Sequence, residues 1–116
     1  MSFELSGKTA EFIALQYLRL KGYVLVARNY VTGRGTGAGE VDLIIKNQTD
    51  IVFVEVKKRK NLETAAYAIL PRQQERIRRA AEVFLAHHSE YASFNVRFDV
   101  FLLQTPFKFE HIENAF

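Results

Sequence analysis

Gly39-Glu40-Val41-Asp42-Leu43-Ile44-Ile45-Lys46, then Asn47-Gln48-Thr49-Asp50, then Ile51-Val52-Phe53-Val54-Glu55-Val56-Lys57 is the stretch that decides how this chain folds. Two runs rich in strand-forming residues flank four polar ones, and so short a connection makes an antiparallel hairpin. Side chains alternate between the two faces of a strand. Val41, Leu43 and Ile45 therefore share a face of the first strand, and Val52, Val54 and Val56 a face of the second. These six are expected to pack together beneath a helix. Pairing Lys46 with Ile51 sets Leu43 against Val54, Ile45 against Val52 and Val41 against Val56. A slip of one residue would mix charged and apolar side chains on both faces, which burial forbids.

The same register puts Asp42 across from Glu55 and Glu40 across from Lys57. Directly opposed residues have Cβ atoms about 4.5–5.5 Å apart. Two carboxylates at that separation repel unless a cation lies between them, and hard Mg²⁺ takes oxygen ligands of this kind. Without metal, one of the pair is expected to hold its proton to higher pH. Lys57, two residues after Glu55, projects from the same face. Phosphodiester cleavage needs a metal to activate water and hold charge building on the phosphate, and a lysine nearby can orient that water or stabilise the developing oxyanion. The bland alternative is a solvated ribbon face with a cross-strand Glu40–Lys57 ion pair.

Outward from the hairpin, a first helix is expected from about Gly7 to Lys21, capped by Ser6 and ended by Gly22. Its apolar face is Ala10, Ile13, Ala14, Tyr17 and Leu18. Tyr23 to Tyr30 reads as a strand. Between it and the hairpin lies Thr32-Gly33-Arg34-Gly35-Thr36-Gly37-Ala38-Gly39, read as a mobile loop beside the site. It is no dinucleotide fingerprint, because it leads into a strand where the fingerprint opens a helix. Pro71 starts a second helix running to about His88, with Ile77, Ala80, Ala81, Phe84 and Leu85 as its stripe. Asn95 to Leu103 is a further strand, with Val96, Phe98, Val100 and Leu102 on one face, and Phe107 to Ile112 a short last one. The order α-β-β-β-α-β, with one more β, is an α/β class with a mixed sheet and helices packed on it, read as one domain over residues 1–116.

The chain has no cysteine, which excludes disulfides, thiolate metal sites and a cysteine nucleophile. His87, His88 and His111 have no ligand spacing to one another. There is neither a signal-peptide pattern near Met1 nor an apolar run approaching the ~18 residues of a membrane helix, so a cytoplasmic protein without a membrane partner is expected. The net charge of +3 is a mild tilt toward polyanions. It is concentrated in Lys57, Lys58, Arg59 and Lys60, and again in Arg72, Arg76, Arg78 and Arg79. Either cluster alone reads as a solvated face.

Gly39-Glu40-Val41-Asp42-Leu43-Ile44 followed by Phe53-Val54-Glu55-Val56-Lys57 resembles the PD-(D/E)XK nuclease superfamily, which includes restriction enzymes and Holliday-junction resolvases. Along nearly its whole length the chain is similar to the bacterial YraN family of endonuclease-like proteins. Glu11, Arg28-Asn29, Arg59, Gln74, Arg97-Phe98-Asp99-Val100 and His111 to Phe116 fall where that family has similar residues, and Lys58 stands where threonine is common. The resemblance implies a restriction-endonuclease-like core and a Mg²⁺- or Mn²⁺-dependent endonuclease acting on DNA, branched or single-stranded. It makes Asp42 and Glu55 metal ligands and Lys57 the catalytic lysine. Glu11 is a further acid for the metal site or else a helix-dipole partner; Gln74 lies beside the site or else is a solvated glutamine. Arg28, Lys58, Arg59, Lys60, Arg72 and Arg76 would hold nucleic acid. Asp99 is expected to pair with Arg97 or Arg28. Resolvase relatives act as dimers, which implies a homodimer here, although no residue marks its surface. Two other readings stay open: a non-catalytic nucleic-acid-binding module of the same fold, and a protein-interaction adaptor in DNA processing or repair.

Overall fold

Leu18, Gly22 and Tyr23 show how the first helix stops. Helix α1 spans Gly7–Leu20. Gly22 takes φ +99°, a conformation only glycine adopts without strain. Its N–H donates to the Arg19 carbonyl at 3.0 Å, and that of Tyr23 to the Leu18 carbonyl at 3.1 Å. These two bonds satisfy carbonyls the helix leaves open, and buried Tyr23 packs back on the helix end. The computed structural model describes residues 7–32, 39–58 and 69–116, so Ser6, the glycine-rich stretch 33–38, Arg59 and Lys60 lie outside the described residues.

After α1 come strands β1 (Val24–Val31), β2 (Glu40–Lys46) and β3 (Asp50–Lys58), helix α2 (Pro71–Ala86), a 3-10 turn at Ser89–Tyr91, and strands β4 (Asn95–Thr105) and β5 (Lys108–Ile112). The order matches the sequence expectation, with the fifth strand present; α2 stops two residues earlier than expected. The strands form one mixed sheet in the order β1-β2-β3-β4-β5. β3 and β4 run parallel and the other neighbours antiparallel. A parallel pair needs a crossover connection, which α2 supplies.

The hairpin turn is built by Asn47, whose Oδ1 accepts from the N–H of Thr49 at 2.9 Å and of Asp50 at 2.7 Å. It sets the expected register: Lys46↔Ile51, Ile45↔Val52, Ile44↔Phe53 and Leu43↔Val54. β3 is apolar on both faces because both are covered. On one side Leu43, Ile45, Val52 and Val54, joined by Phe101 and Leu103, pack under Ala10, Ala14, Leu15 and Leu18 of α1, with Val56 partly buried beside them. On the other, Ile44, Ile51 and Phe53 meet Ile77, Ala80, Ala81 and Phe84 of α2.

Val41 breaks the expected grouping of six, for it packs in the α2-side cluster. The neighbouring strand turns with it. Val41 pairs with Tyr30, and Asn29 just before it has φ +51°. That left-handed residue breaks the alternation of β1 and carries Tyr30 to the α2 side, where its ring meets Phe84 edge-on at 5.3 Å. Val96 departs as well: it is 45% exposed although it shares a face with Val100 and Leu102. The α2-side face of β4 is closed largely by the end of the chain. Ala115 N–H donates to the Phe98 carbonyl at 2.7 Å, and the Phe116 ring stacks on Phe98 at 5.3 Å. No helix among the described residues is long and apolar enough to cross a membrane.

Candidate functional site

The β2–β3 ladder ends at Leu43↔Val54, one pair short of the carboxylates. The Val56 N–H, which a continuing ladder would bond to backbone, donates to Asp42 Oδ2 at 2.8 Å. The strands thus part at Asp42 and Glu55, and a side chain takes the orphaned donor. Hydrogen bonds link the Asp42 carboxyl to Glu55 and to Glu11 of α1. Glu55 is only 7% exposed.

Burial, and then the neighbouring Asp42 charge, push the Glu55 carboxyl up to about 7, although Lys57 pulls the other way. Burial also raises Asp42, more than the Val56 N–H and its other partners lower it. Of the pair, Glu55 is thus the group that keeps its proton toward neutral pH. Lys57 Nζ lies 3.3 Å from Glu55 Oε1, so Lys57 pairs with the acid on its own strand and not with Glu40. Glu11 is raised as well, first by burial and then by Asp42. With its amide nitrogen turned toward them, Asn29 donates to Glu40 Oε1 and to both Glu11 oxygens at 3.2 Å.

The α2 side of the site differs from expectation. Gln73 Nε2 donates to Glu55 Oε1 at 3.3 Å, whereas Gln74 Nε2 bonds the Ile69 carbonyl at 3.1 Å and closes the start of its own helix. The signal for Gln73 was in the helical phase. It stands four, seven, eight and eleven residues before Ile77, Ala80, Ala81 and Phe84, hence at the head of the buried stripe. A cavity of about 210 Å³ opens here, lined by Gly39, Glu40, Asp42, Glu55, Gln73, Arg76 and Ile77. The larger open hollow, about 690 Å³ around Lys46, Thr49 and Phe94, has no carboxylate in its lining.

Residues 10–103 match the model of the uncharacterised protein family UPF0102. The chain belongs to that family. A UPF0102 protein of Paramagnetospirillum magneticum is 47% identical over 110 residues, covering 94% of this chain and 84% of the relative. One from Bradyrhizobium diazoefficiens is 43% identical over 111 residues, covering 96% and 80%. Among solved structures, Pyrococcus furiosus SfsA in complex with Ca²⁺ aligns with 92% of this chain at 17% identity and a TM-score of 0.33. The chain spans 62% of that protein's length.

In this UPF0102 member, then, Asp42, Glu55, Lys57 and Glu11 come together, with Gln73 added and Gln74 turned away. Arg28 is exposed on β1, close enough to Glu11 to act on its charge. Arg72 and Arg76 are exposed on α2, and Lys58 is exposed at the end of β3. Among the described residues no three Asp, Glu or His side chains converge to hold an ion by themselves. The donor set nonetheless suits a hard divalent cation. Mg²⁺ is ordinarily held by one or two carboxylates with water and substrate phosphate completing its shell. Asp42 and Glu55 supply two buried carboxylates whose mutual repulsion such a charge would relieve.

Proposed function

We propose that this UPF0102 chain is a Mg²⁺- or Mn²⁺-dependent nuclease that hydrolyses phosphodiester bonds in DNA, single-stranded or branched, in the cytoplasm. The observation that carries this is the pair of carboxyls, Asp42 and buried Glu55, lining one cavity with the Lys57 ammonium 3.3 Å from Glu55. Asp42 and Glu55 would hold the ion, with Glu11 reaching it through Asp42. A bound divalent cation supplies charge to the phosphate oxygens and makes bound water a nucleophile at neutral pH. Lys57 is 22% exposed and tethered at Glu55, so its ammonium is kept at the mouth of the site to donate to an oxygen gaining charge. Gln73 holds Glu55 Oε1 from the opposite helix and fixes the carboxyl's orientation.

Purified protein incubated with single-stranded, branched and duplex DNA is expected to cut at least one of them with Mg²⁺ or Mn²⁺ and none in EDTA. Cutting that persists unchanged in EDTA, or that survives Asp42→Asn, would sink the proposal. A second reading has one observation in its favour: no three acidic side chains converge on one point among the described residues. It is a binding module that kept the fold without the chemistry. Strongly salt-dependent DNA binding with no cleavage under any divalent metal would select it.

A further inference from the structure

We infer that Arg76 grips a backbone phosphate of the bound strand at the rim of the Asp42–Glu55 cavity, and that Gly39 sets the position from which it reaches. This rests on the nucleic-acid reading of the site. Any phosphate entering the cavity passes Glu40, Asp42 and Glu55, and Arg76 is the one cationic side chain in its lining. A polyanion approaching a wall of carboxylates needs a counter-charge, and a guanidinium fork matches two phosphate oxygens at once.

Two of the other arginines of α2 are engaged elsewhere, and Arg72, exposed one turn earlier, is absent from the cavity lining. Arg79 is bound to Glu75 one turn back. The Arg78 guanidinium lies over the Phe98 and Phe116 rings, 5.4 and 5.8 Å from their centroids. Arg76 has no carboxylate partner within ion-pair distance among the described residues, and it is exposed. It is a cation in the cavity lining with no protein anion among the described residues within ion-pair distance.

Its backbone is held fast. The Gly39 N–H donates to the Arg76 carbonyl at 3.1 Å, one residue before β2 begins and three before Asp42. A Cβ on Gly39 would lie 3.1 Å from the Arg76 Cβ, so a side chain there would press strand and helix apart by a few tenths of an ångström. The strand that carries Asp42 and the helix turn that carries Arg76 therefore form one rigid frame. The base from which the arginine reaches is thus fixed before any ligand arrives, while its exposed side chain orders on binding.

The test measures binding of a short fluorescein-labelled single-stranded oligodeoxynucleotide in EDTA across a salt series, then cleavage with Mn²⁺. Arg76→Ala is expected to weaken binding about tenfold and to reduce the slope of log affinity against log salt by ~0.7, one phosphate contact. Arg76→Lys restores the slope and only part of the affinity, because a point charge lacks the fork. Arg79→Ala stays within about twofold of wild type, its charge being already paired. Gly39→Ala weakens binding in the wild-type background and adds nothing on top of Arg76→Ala, the coupling expected of a residue that acts through the arginine. In cleavage, Arg76→Ala raises KM and leaves kcat nearly unchanged. Alanine at this exposed helical position keeps the fold, which an unshifted Tm verifies.

Arg76-dependent binding without cleavage by the wild type leaves this inference standing and removes the nuclease reading. Cleavage by the wild type with unaltered binding by Arg76→Ala does the reverse. A wild-type protein that neither binds nor cuts removes both.

Discussion

Glu55→Gln is expected to make the metal-free protein more stable at pH 8 while lowering metal-dependent cleavage at least about a hundredfold. The stability half follows from the proton that Glu55 holds. Its carboxyl titrates at about 7 in the folded chain against 4.5 as the ordinary value, first because it is buried and second because Asp42 is beside it. Over that interval the folded protein binds more protons than the unfolded one. Stability therefore falls as pH rises from 4.5 to about 7, by up to about 3 kcal/mol, and is fully present below the lower value. Glutamine has the same shape and no charge to lose. Its amide oxygen can still accept from Gln73 and Lys57, and its NH₂ can donate to Asp42, so no buried group is orphaned. The variant should melt higher by several degrees near pH 8, about level with wild type near pH 4.5, and lack the downward slope between. The activity half follows from the proposed ligand role. Groups one step removed from a metal typically cost ~10–100-fold when lost, and a ligand should cost no less than the upper figure. Mg²⁺ should raise the wild-type Tm more at pH 8 than at pH 5 and leave the variant nearly unmoved. Equal melting curves across the whole pH range would refute the proton held by Glu55. Undiminished cleavage by the variant would refute the ligand role.

That pairing of Asp42 with Glu55 was legible because three independent signals agree on one register. They are the two-residue period of both strands, the polar four-residue turn and the cost of burying a slipped charge. Both helices were legible from their 3.6-residue stripes, and the fifth strand from its short apolar alternation. What was not legible depends on contacts between elements. Val41 reads as a partner of Leu43, and no local rule reveals that Asn29 on another strand adopts φ +51° or that Tyr30 and its partner Val41 both pack toward α2. Gln73 and Gln74 are adjacent and chemically identical. Which of them faces the site is fixed by the packing of the stripe behind them, about 100° of helical rotation apart. The end of the ladder at Leu43 is likewise a tertiary outcome, since the Asp42 side chain competes with the backbone for the Val56 N–H. The Arg97–Asp99 pair was one of two alternatives in the sequence; His111 and Asn114 joining it was not, because no spacing rule links residues twelve and fifteen apart across a strand pair.

Those four residues make the second large effect. Asp99→Asn is expected to destabilise the protein by about 3–5 kcal/mol, lowering Tm by more than about 10 °C. Asp99 is fully buried. Its carboxylate accepts from Arg97 Nε and Nη2 at 2.9 Å, from His111 Nε2 at 2.8 Å and from the Asn114 N–H at 3.0 Å. Burial alone would raise its titration point, but the bonds from His111, Arg97 and Asn114 outweigh it and hold the carboxyl below the usual range. Arg97 also donates to the Tyr23 hydroxyl, and it lies 3.5 Å from Asp50 Oδ2. Lys21 Nζ approaches His111 Nδ1 at 3.0 Å. An ammonium can only donate, so Nδ1 accepts and Nε2 carries the proton offered to Asp99. One buried carboxylate thus ties the end of α1, the start of β4, the end of β5 and the final turn together. Asparagine removes the charge and points an NH₂ at groups that are themselves donors, leaving largely buried Arg97 with only its longer contacts to Asp50 at 3.5 Å and Glu113 at 3.9 Å. The exposed Glu75–Arg79 pair is the control: Glu75→Gln should cost no more than ~0.5 kcal/mol. Denaturant unfolding measures both, and hydrogen exchange adds a local readout. In Asp99→Asn the Asn114 and Ala115 amides, which hold the chain end on β4, should lose protection ahead of the β2–β3 core. A cost below about 1 kcal/mol would mean that the chain end is held by Phe116 on Phe98 and not by the carboxylate.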